Sequence, residues 1–206
     1  MLHIARIDTQ PAPDSVLRAM FAARKSVFVD LLKWDVPVID GAFEVDQFDD
    51  AFAQYLVLAD GNGRHLGSAR LLPTTRPHIL DSLYADLCED APPRAPGIFE
   101  ITRFCLDRSL SARERRSVRD TLVRALADHA LTVGITHYTA IAGLDWFQQI
   151  LAFGWRCRPL GLPLEIDGKM LAALGISIDA DTPRLLAAAG IIPLPALLAE
   201  PHREAA

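Results

Sequence analysis

The sequence predicts an α/β fold: a mixed, mostly antiparallel twisted sheet flanked by helices. Three observations carry that expectation. Two β-prone runs, residues 53–59 and 64–72, enclose Asp60-Gly61-Asn62-Gly63, the turn chemistry of an antiparallel hairpin. Ser111-Ala112-Arg113-Glu114 matches a capping box at the head of a helix whose apolar stripe is Val118, Leu122, Ala125, Leu126 and Ala130. Strand-like runs at 98–106 and 136–142 flank that helix, so helical and extended periods alternate along the chain.

The remaining elements follow in order. Leu2, Ile4 and Ile7 begin a short strand, and Asp14-Ser15 caps a helix through Val16, Leu17, Met20, Phe21, Phe28 and Leu31-Leu32. On that helix Arg24 and Phe28 stand four apart, on one face and one turn from each other. Between Trp34 and Asp50 neither period persists, and Pro37 and Gly41 interrupt it, so this segment reads as a loop ordered only by what it touches. Pro73 ends the hairpin's second strand, and residues 73–97, rich in proline, form an excursion holding a short helix near 79–87. In the strand 98–106, alternation puts Glu100 and Thr102 on one face and Ile101 and Arg103 on the other, unless a bulge intervenes. Residues 145–153 read as a short amphipathic helix, 155–160, 164–166 and 170–178 as late strands, and 181–190 as a terminal helix. One domain over residues 1–206 is expected, with 193–206 a loosely held tail.

Composition narrows the function. Half of the 206 residues are hydrophobic, enough for one substantial core. No apolar run is long enough to span a bilayer, and the N-terminus lacks the regions of a signal peptide, so a cytoplasmic protein without membrane association is expected. The net charge of −5 argues against nucleic acid as a partner. Cys88, Cys105 and Cys157 are odd in number and show no metal-ligand spacing, which points to buried thiols and no metal site.

The stretch from Arg24 to Asp50 has a different chemistry. Arg24 and Lys25, then Phe28 and Trp34, then the acids Glu44, Asp46, Asp49 and Asp50 provide what a zwitterionic, cationic small molecule needs: aromatic faces for a positive centre, acids for an ammonium, an arginine for a carboxylate. Taken alone, the acids read more readily as a solvated loop and Phe28 as ordinary core. Arg70 and Arg103, both in predicted strands, read equally as structural ion-pair partners of Asp46, Asp49 and Glu100.

Extended downstream, the pattern sharpens. Arg24, Phe28, Trp34, Glu44, Asp46, Asp49, Arg70, Glu100 and Arg103, with the local runs FEVDQFDD, GSARLLPT and FEITRFCLD, resemble the acyl-homoserine-lactone synthases, the LuxI-type autoinducer synthases of quorum sensing, over residues 2–160. The element order likewise resembles the N-acetyltransferase (GNAT-like) fold. The resemblance implies an acyltransferase that moves an acyl chain from acyl carrier protein, or coenzyme A, to the amine of S-adenosylmethionine. Lactonisation then gives an N-acyl-homoserine lactone and methylthioadenosine. Arg24, Phe28, Trp34, Asp49 and Arg103 are implied for S-adenosylmethionine binding, and Glu44 and Arg70 for an ion-pair network. Acylation needs a neutral amine, for which Glu100 is the first candidate base and Asp46 the second. S-adenosylmethionine is a substrate, and no cofactor is implied.

Two further groups are assigned on the same footing. Leu122, Ile141, Leu144, Trp146 and Phe147 are candidates for the acyl pocket and equally good core residues. Arg113, Arg116, Arg119 and Arg156 form a local basic surface suited to docking an acidic carrier protein, and equally a solvated helix face. The segment 107–111 contains no glycine, unlike the phosphate-cradling loop usual in acetyltransferases. A monomer is expected. Two other readings remain open at this point: an N-acyltransferase of the same fold for another amine, and a non-catalytic module that binds carrier protein.

Overall fold

The computed structural model describes residues 1–7 and 14–198. They form a mixed, mostly antiparallel sheet with helices against it. The described residues divide into two compact units: the first comprises residues 1–7, 14–70, 103–125 and 192–198, the second residues 71–102 and 126–191.

The first unit opens with strand β1 (Leu2–Ala5), paired antiparallel to β4 (Gln54–Ala59) with Leu2 opposite Leu58 and Ala5 opposite Tyr55. All six residues of β4 are buried. The turn at 60–64 leads into β5 (His65–Pro73), the neighbour of β4, and β5 in turn neighbours β6 (Ile98–Leu106). Helix α1 (Asp14–Arg24) continues directly into a π-helical segment, Lys25–Leu31, closed by Leu32 N–H donating to Val27 O. The cap expected of Asp14 cannot be followed, since its side chain lies outside the described residues. Val16, Met20, Arg24 and Phe28 are buried at intervals of four, so the apolar stripe of this helix carries one arginine.

The segment after the π-helix corrects one expectation. Val38–Ile39 (β2) and Phe43–Glu44 (β3) pair antiparallel as a small ribbon, joined through Asp40 and Gly41 at φ 51° and 64°. Asp-Gly is the pair that most readily takes positive φ in a hairpin turn, and it outweighs the missing periodicity.

In the second unit, β6 lies parallel to β7 (His137–Gly143), with Glu100 opposite Thr139. The other partner of β7 is β10 (Lys169–Ser177), antiparallel to it and also to β8 (Arg156–Pro159) and β9 (Leu164–Ile166). The excursion from 73 to 97 holds α2 (Ile79–Leu83) and a 3₁₀ turn, Ala85–Leu87. Leu80, Leu87 and Ala173 form a fully buried cluster against which Ile141 packs.

The capped helix α3 (Ala112–Val133) has the expected box: Ser111 N–H donates to Glu114 at 2.9 Å, and Glu114 N–H to Ser111 Oγ at 3.3 Å. Its stripe is buried as patterned. Gly67 of β5 exists because α3 is close: a Cβ there would stand 2.8 Å from Val118 Cγ1. The chain continues through α4 (Leu144–Ala152), α5 (Thr182–Ala188) and the short α6 (Pro195–Leu198). Of the predicted tail, Leu194 N–H donates to Thr121 Oγ1, and 199–206 lie outside the described residues. No helix among the described residues is long and apolar enough to cross a membrane.

Candidate active site

Three arginines and three carboxylates of the first unit close a ring in which charge alternates at every step. Arg24 donates through Nε to Glu44 Oε2 at 2.5 Å, and Glu44 Oε1 accepts Arg103 Nη2 at 3.0 Å. Arg103 Nη2 also reaches Asp46 Oδ2 at 2.6 Å, and Asp46 receives both Nη atoms of Arg70, at 2.6 and 3.0 Å. Arg70 Nη1 stands 2.8 Å from Asp49 Oδ1, and Asp49 takes Nη1 and Nη2 of Arg24 fork to fork, each at 2.8 Å. Each cation therefore lies between two anions. This arrangement makes burial of six charges tolerable: no charge is left uncompensated and the whole is neutral.

Local sequence explains how each member arrives. Arg24 ends α1 on its buried stripe, and Glu44 closes the β2–β3 ribbon. Asp46 and Asp49 sit in a tight turn pinned by Asp46 N–H donating to Asp49 Oδ2 and Phe48 N–H donating to Asp46 Oδ1, both at 2.8 Å. Arg70 projects from β5. Arg103 has φ 49°, a left-handed conformation within β6 that breaks the strand's alternation. A non-glycine residue held there stores backbone strain of about 1–3 kcal/mol, which the surrounding ion pairs must hold in place.

Burial pushes the Asp49 carboxyl up, but hydrogen bonds from Arg24 and the charge of Arg70 outweigh it, so Asp49 is held well below the usual carboxylate range. The pKa of Arg24 is raised: burial disfavours its charge, and the bonds to Asp49 and Glu44 more than offset that. Arg70 is raised in the same way by Asp46 and Asp49.

The ring opens toward an aromatic pair. Phe28, on the π-helical segment, stacks on Trp34 with centroids 4.7 Å apart and planes inclined by 17°. The Arg103 guanidinium lies 5.6 Å from the Phe28 centroid and 5.7 Å from that of Trp34. Trp34 is 36% exposed, whereas Arg24 and Arg70 are 1% exposed. The wider π turn brings Phe28 to Trp34, whose own N–H donates to Phe28 O at 2.8 Å.

This geometry regroups the predicted residues. The sequence assigned Arg24 and Asp49 to substrate and Glu44 and Arg70 to a scaffold, but all four belong to one buried network. Nε, Nη1 and Nη2 of Arg24 and both oxygens of Asp49 each bond within this network. Arg103 carries the ring to the Phe28–Trp34 stack, of which Trp34 is the exposed member. Residues 34–50, expected to lack regular hydrogen bonding, are tied by the ribbon, by Val45 N–H to Pro37 O, and by the ring itself.

Glu100 lies in the second unit. It is fully buried, and its two oxygens accept the backbone N–H groups of Ile79 at 2.8 Å and Leu80 at 3.1 Å, at the start of α2. The acyl-pocket candidates differ among themselves: Leu122 and Phe147 are buried, while Ile141, Leu144 and Trp146 are half-buried. Of the basic residues, Arg113 and Arg116 are exposed, Arg119 is tied to Asp120 of its own helix, and Arg156 is paired with Asp179 and Asp181. Among the described residues no cluster of potential metal ligands occurs. A groove of about 290 Å³ in the first unit, lined by Ala19, Ala22, Ser26, Arg64, His65 and Asp107 among others, includes no member of the ring.

Sequence reasoning missed Tyr55. Its hydroxyl donates to Asp49 Oδ1 at 2.8 Å, and its ring meets Phe21 edge-on at 5.8 Å. The signal was present: a tyrosine followed by the aliphatic run Leu56-Val57-Leu58-Ala59 in a buried strand needs a partner for its hydroxyl.

The family model described as autoinducer synthase matches residues 10–185. An acyl-homoserine-lactone synthase of Ralstonia nicotianae is 34% identical over 193 residues, covering 90% of this chain and 94% of that protein. Among solved structures, the coenzyme A-dependent acyl-homoserine lactone synthase BjaI, with S-adenosylmethionine and isopentyl-coenzyme A, superposes with TM-score 0.83 at 27% identity, covering 96% of this chain and 91% of that one. More distantly, a protein from Lactobacillus plantarum described as an N-acetyltransferase superposes with TM-score 0.55 at 18% identity, covering 87% of this chain and 98% of that one, a likeness of fold alone.

Proposed function

The chain belongs to the autoinducer synthase family, and from that membership we propose that it is an acyl-homoserine-lactone synthase. It transfers an acyl chain from a thioester to the amine of S-adenosylmethionine and closes the product to an N-acyl-L-homoserine lactone. The observation that carries this reading is the neutral ring of ion pairs ending in Arg103 and Asp46 beside the Phe28–Trp34 stack.

Such an end suits each part of S-adenosylmethionine. The aromatic pair offers π faces to the sulfonium or the adenine, Arg103 offers donors to the carboxylate, and Asp46 an acceptor to the ammonium. The amine loses a proton to a base, for which Glu100 is the first candidate and Asp46 the second. Its nitrogen lone pair attacks the thioester carbonyl, the carbon–sulfur bond breaks, and the departing thiolate takes up the proton that the nitrogen sheds on becoming an amide. A carboxylate oxygen of the acylated intermediate then attacks the carbon beside the sulfonium. That carbon–sulfur bond breaks, methylthioadenosine departs neutral, and the ring closes. A positively charged sulfur is a good leaving group, so orientation supplies much of the second step.

The donor is an acyl carrier protein or coenzyme A thioester. Arg113 and Arg116, exposed on α3, favour an acidic partner, while BjaI is described as coenzyme A-dependent. The test is to supply purified protein with S-adenosylmethionine and acyl thioesters of several chain lengths on both carriers. Methylthioadenosine release and a lactone of matching mass are expected. No release with any donor would overturn the reading.

A further inference from the structure

We propose that Tyr55 is a positioning residue for S-adenosylmethionine, acting through Asp49 and Asp46; this rests on the functional reading above. Asp49 Oδ1 accepts Arg24, Arg70 and the Tyr55 hydroxyl, and Oδ2 accepts Arg24 and the N–H of Asp46. Tyr55 is the one uncharged side chain among these donors, and it stands on β4, the wholly buried strand of the first unit. Its ring is held by Phe21, over which the Arg24 guanidinium lies at 5.0 Å.

Each arginine that bonds Asp49 is shared with a second carboxylate, so its position answers to both acids. A phenol on a rigid strand fixes one oxygen of Asp49 in space. The other oxygen then fixes the Asp46 N–H, and with it the direction in which the Asp46 carboxylate meets Arg103 below the aromatic pair. Tyr55 thus sets the geometry of the Asp46–Arg103 pair from a position that substrate does not reach, since it is fully buried.

The experiment compares wild type, Tyr55→Phe and Val57→Ala. Tyr55→Phe removes the hydroxyl and neither ring nor charge. It is expected to raise KM and calorimetric Kd for S-adenosylmethionine roughly tenfold, as loss of a hydrogen bond to a charged group implies, with KM for the acyl donor unchanged. Val57→Ala removes packing from the same strand, and is expected to lower the melting temperature while leaving KM for S-adenosylmethionine at the wild-type value. Equal Kd values for wild type and Tyr55→Phe would overturn the proposal. So would a parallel rise in KM for both substrates, or a rise in KM for S-adenosylmethionine in Val57→Ala equal to that of Tyr55→Phe. A wild type that binds S-adenosylmethionine but forms no lactone would overturn the functional reading alone, and the binding comparison would still decide on Tyr55.

Discussion

Arg24 and Asp49 meet fork to fork at 2.8 Å in both arms, each with its side chain almost wholly removed from solvent. Replacing Asp49 by Asn would leave Arg24 and Arg70 sharing too little negative charge in a buried ring. A loss of about 3–5 kcal/mol is expected, typical of breaking one partner of a buried pair. Urea unfolding of Asp49→Asn measures it.

Stability should also fall in acid in two stages. His65 is buried and bonded through Nε2 to Ser68 Oγ at 2.9 Å. Burial holds its pKa down, against the pull of Asp107, at about 4, compared with 6.5 for an exposed histidine. The unfolded chain therefore binds a proton that the folded one refuses. Stability from this group is complete above pH 6.5 and declines as pH falls toward 4, by up to about 3 kcal/mol. Asp49 has the sign of a depressed carboxyl: its contribution is present above its unfolded pKa near 3.8 and is lost as pH falls through the lower folded value. Unfolding curves of wild type and His65→Gln between pH 7 and 4 should converge toward the acid end.

The aromatic pair should matter to one substrate only. Trp34→Ala is expected to raise KM for S-adenosylmethionine at least about tenfold while KM for the acyl donor stays within about twofold. Steady-state assays of methylthioadenosine release, varying each substrate in turn, separate the two.

Glu100 has two possible duties that one variant tells apart. In Glu100→Gln the amide can accept through only one atom, so one of the Ile79 and Leu80 N–H groups loses its acceptor, costing about 1–3 kcal/mol. If Glu100 is also the base, kcat falls by at least about 100-fold. A lower melting temperature with kcat intact would assign it to the helix start alone.

Gly67→Ala should destabilise by about 1–3 kcal/mol, because the added carbon meets Val118 at 2.8 Å and Leu106 at 3.0 Å, and a short branched side chain has little room to yield. Thermal melting checks it, with the ratio of the two KM values unchanged.

Much of this was legible in the chain. The Asp-Gly-Asn-Gly turn and the Ser111–Glu114 box each placed an element because they act within a few residues, and the observed hairpin and α3 lie where those signals put them. The β2–β3 ribbon was missed although Asp40-Gly41 announces it, since two-residue strands are too short to show a period. At Arg103, alternation foresaw a side only on condition that no bulge intervened, and the positive φ is the break in that condition.

The sequence by itself determined the residue types, the family and the alternation of elements, because hydrophobic period, turn chemistry and capping are local and survive without knowledge of distant partners. Only the tertiary structure decided which charges face which. Ion pairing between Arg24, Glu44, Asp46, Asp49, Arg70 and Arg103 joins positions up to 59 residues apart, and any arginine in that set pairs acceptably with any acid on paper. Packing of α1, the ribbon and two strands selects the closed ring. It thereby joins Arg24 and Asp49, expected at the substrate, to Glu44 and Arg70 in one buried network, and sets the Tyr55 hydroxyl against Asp49.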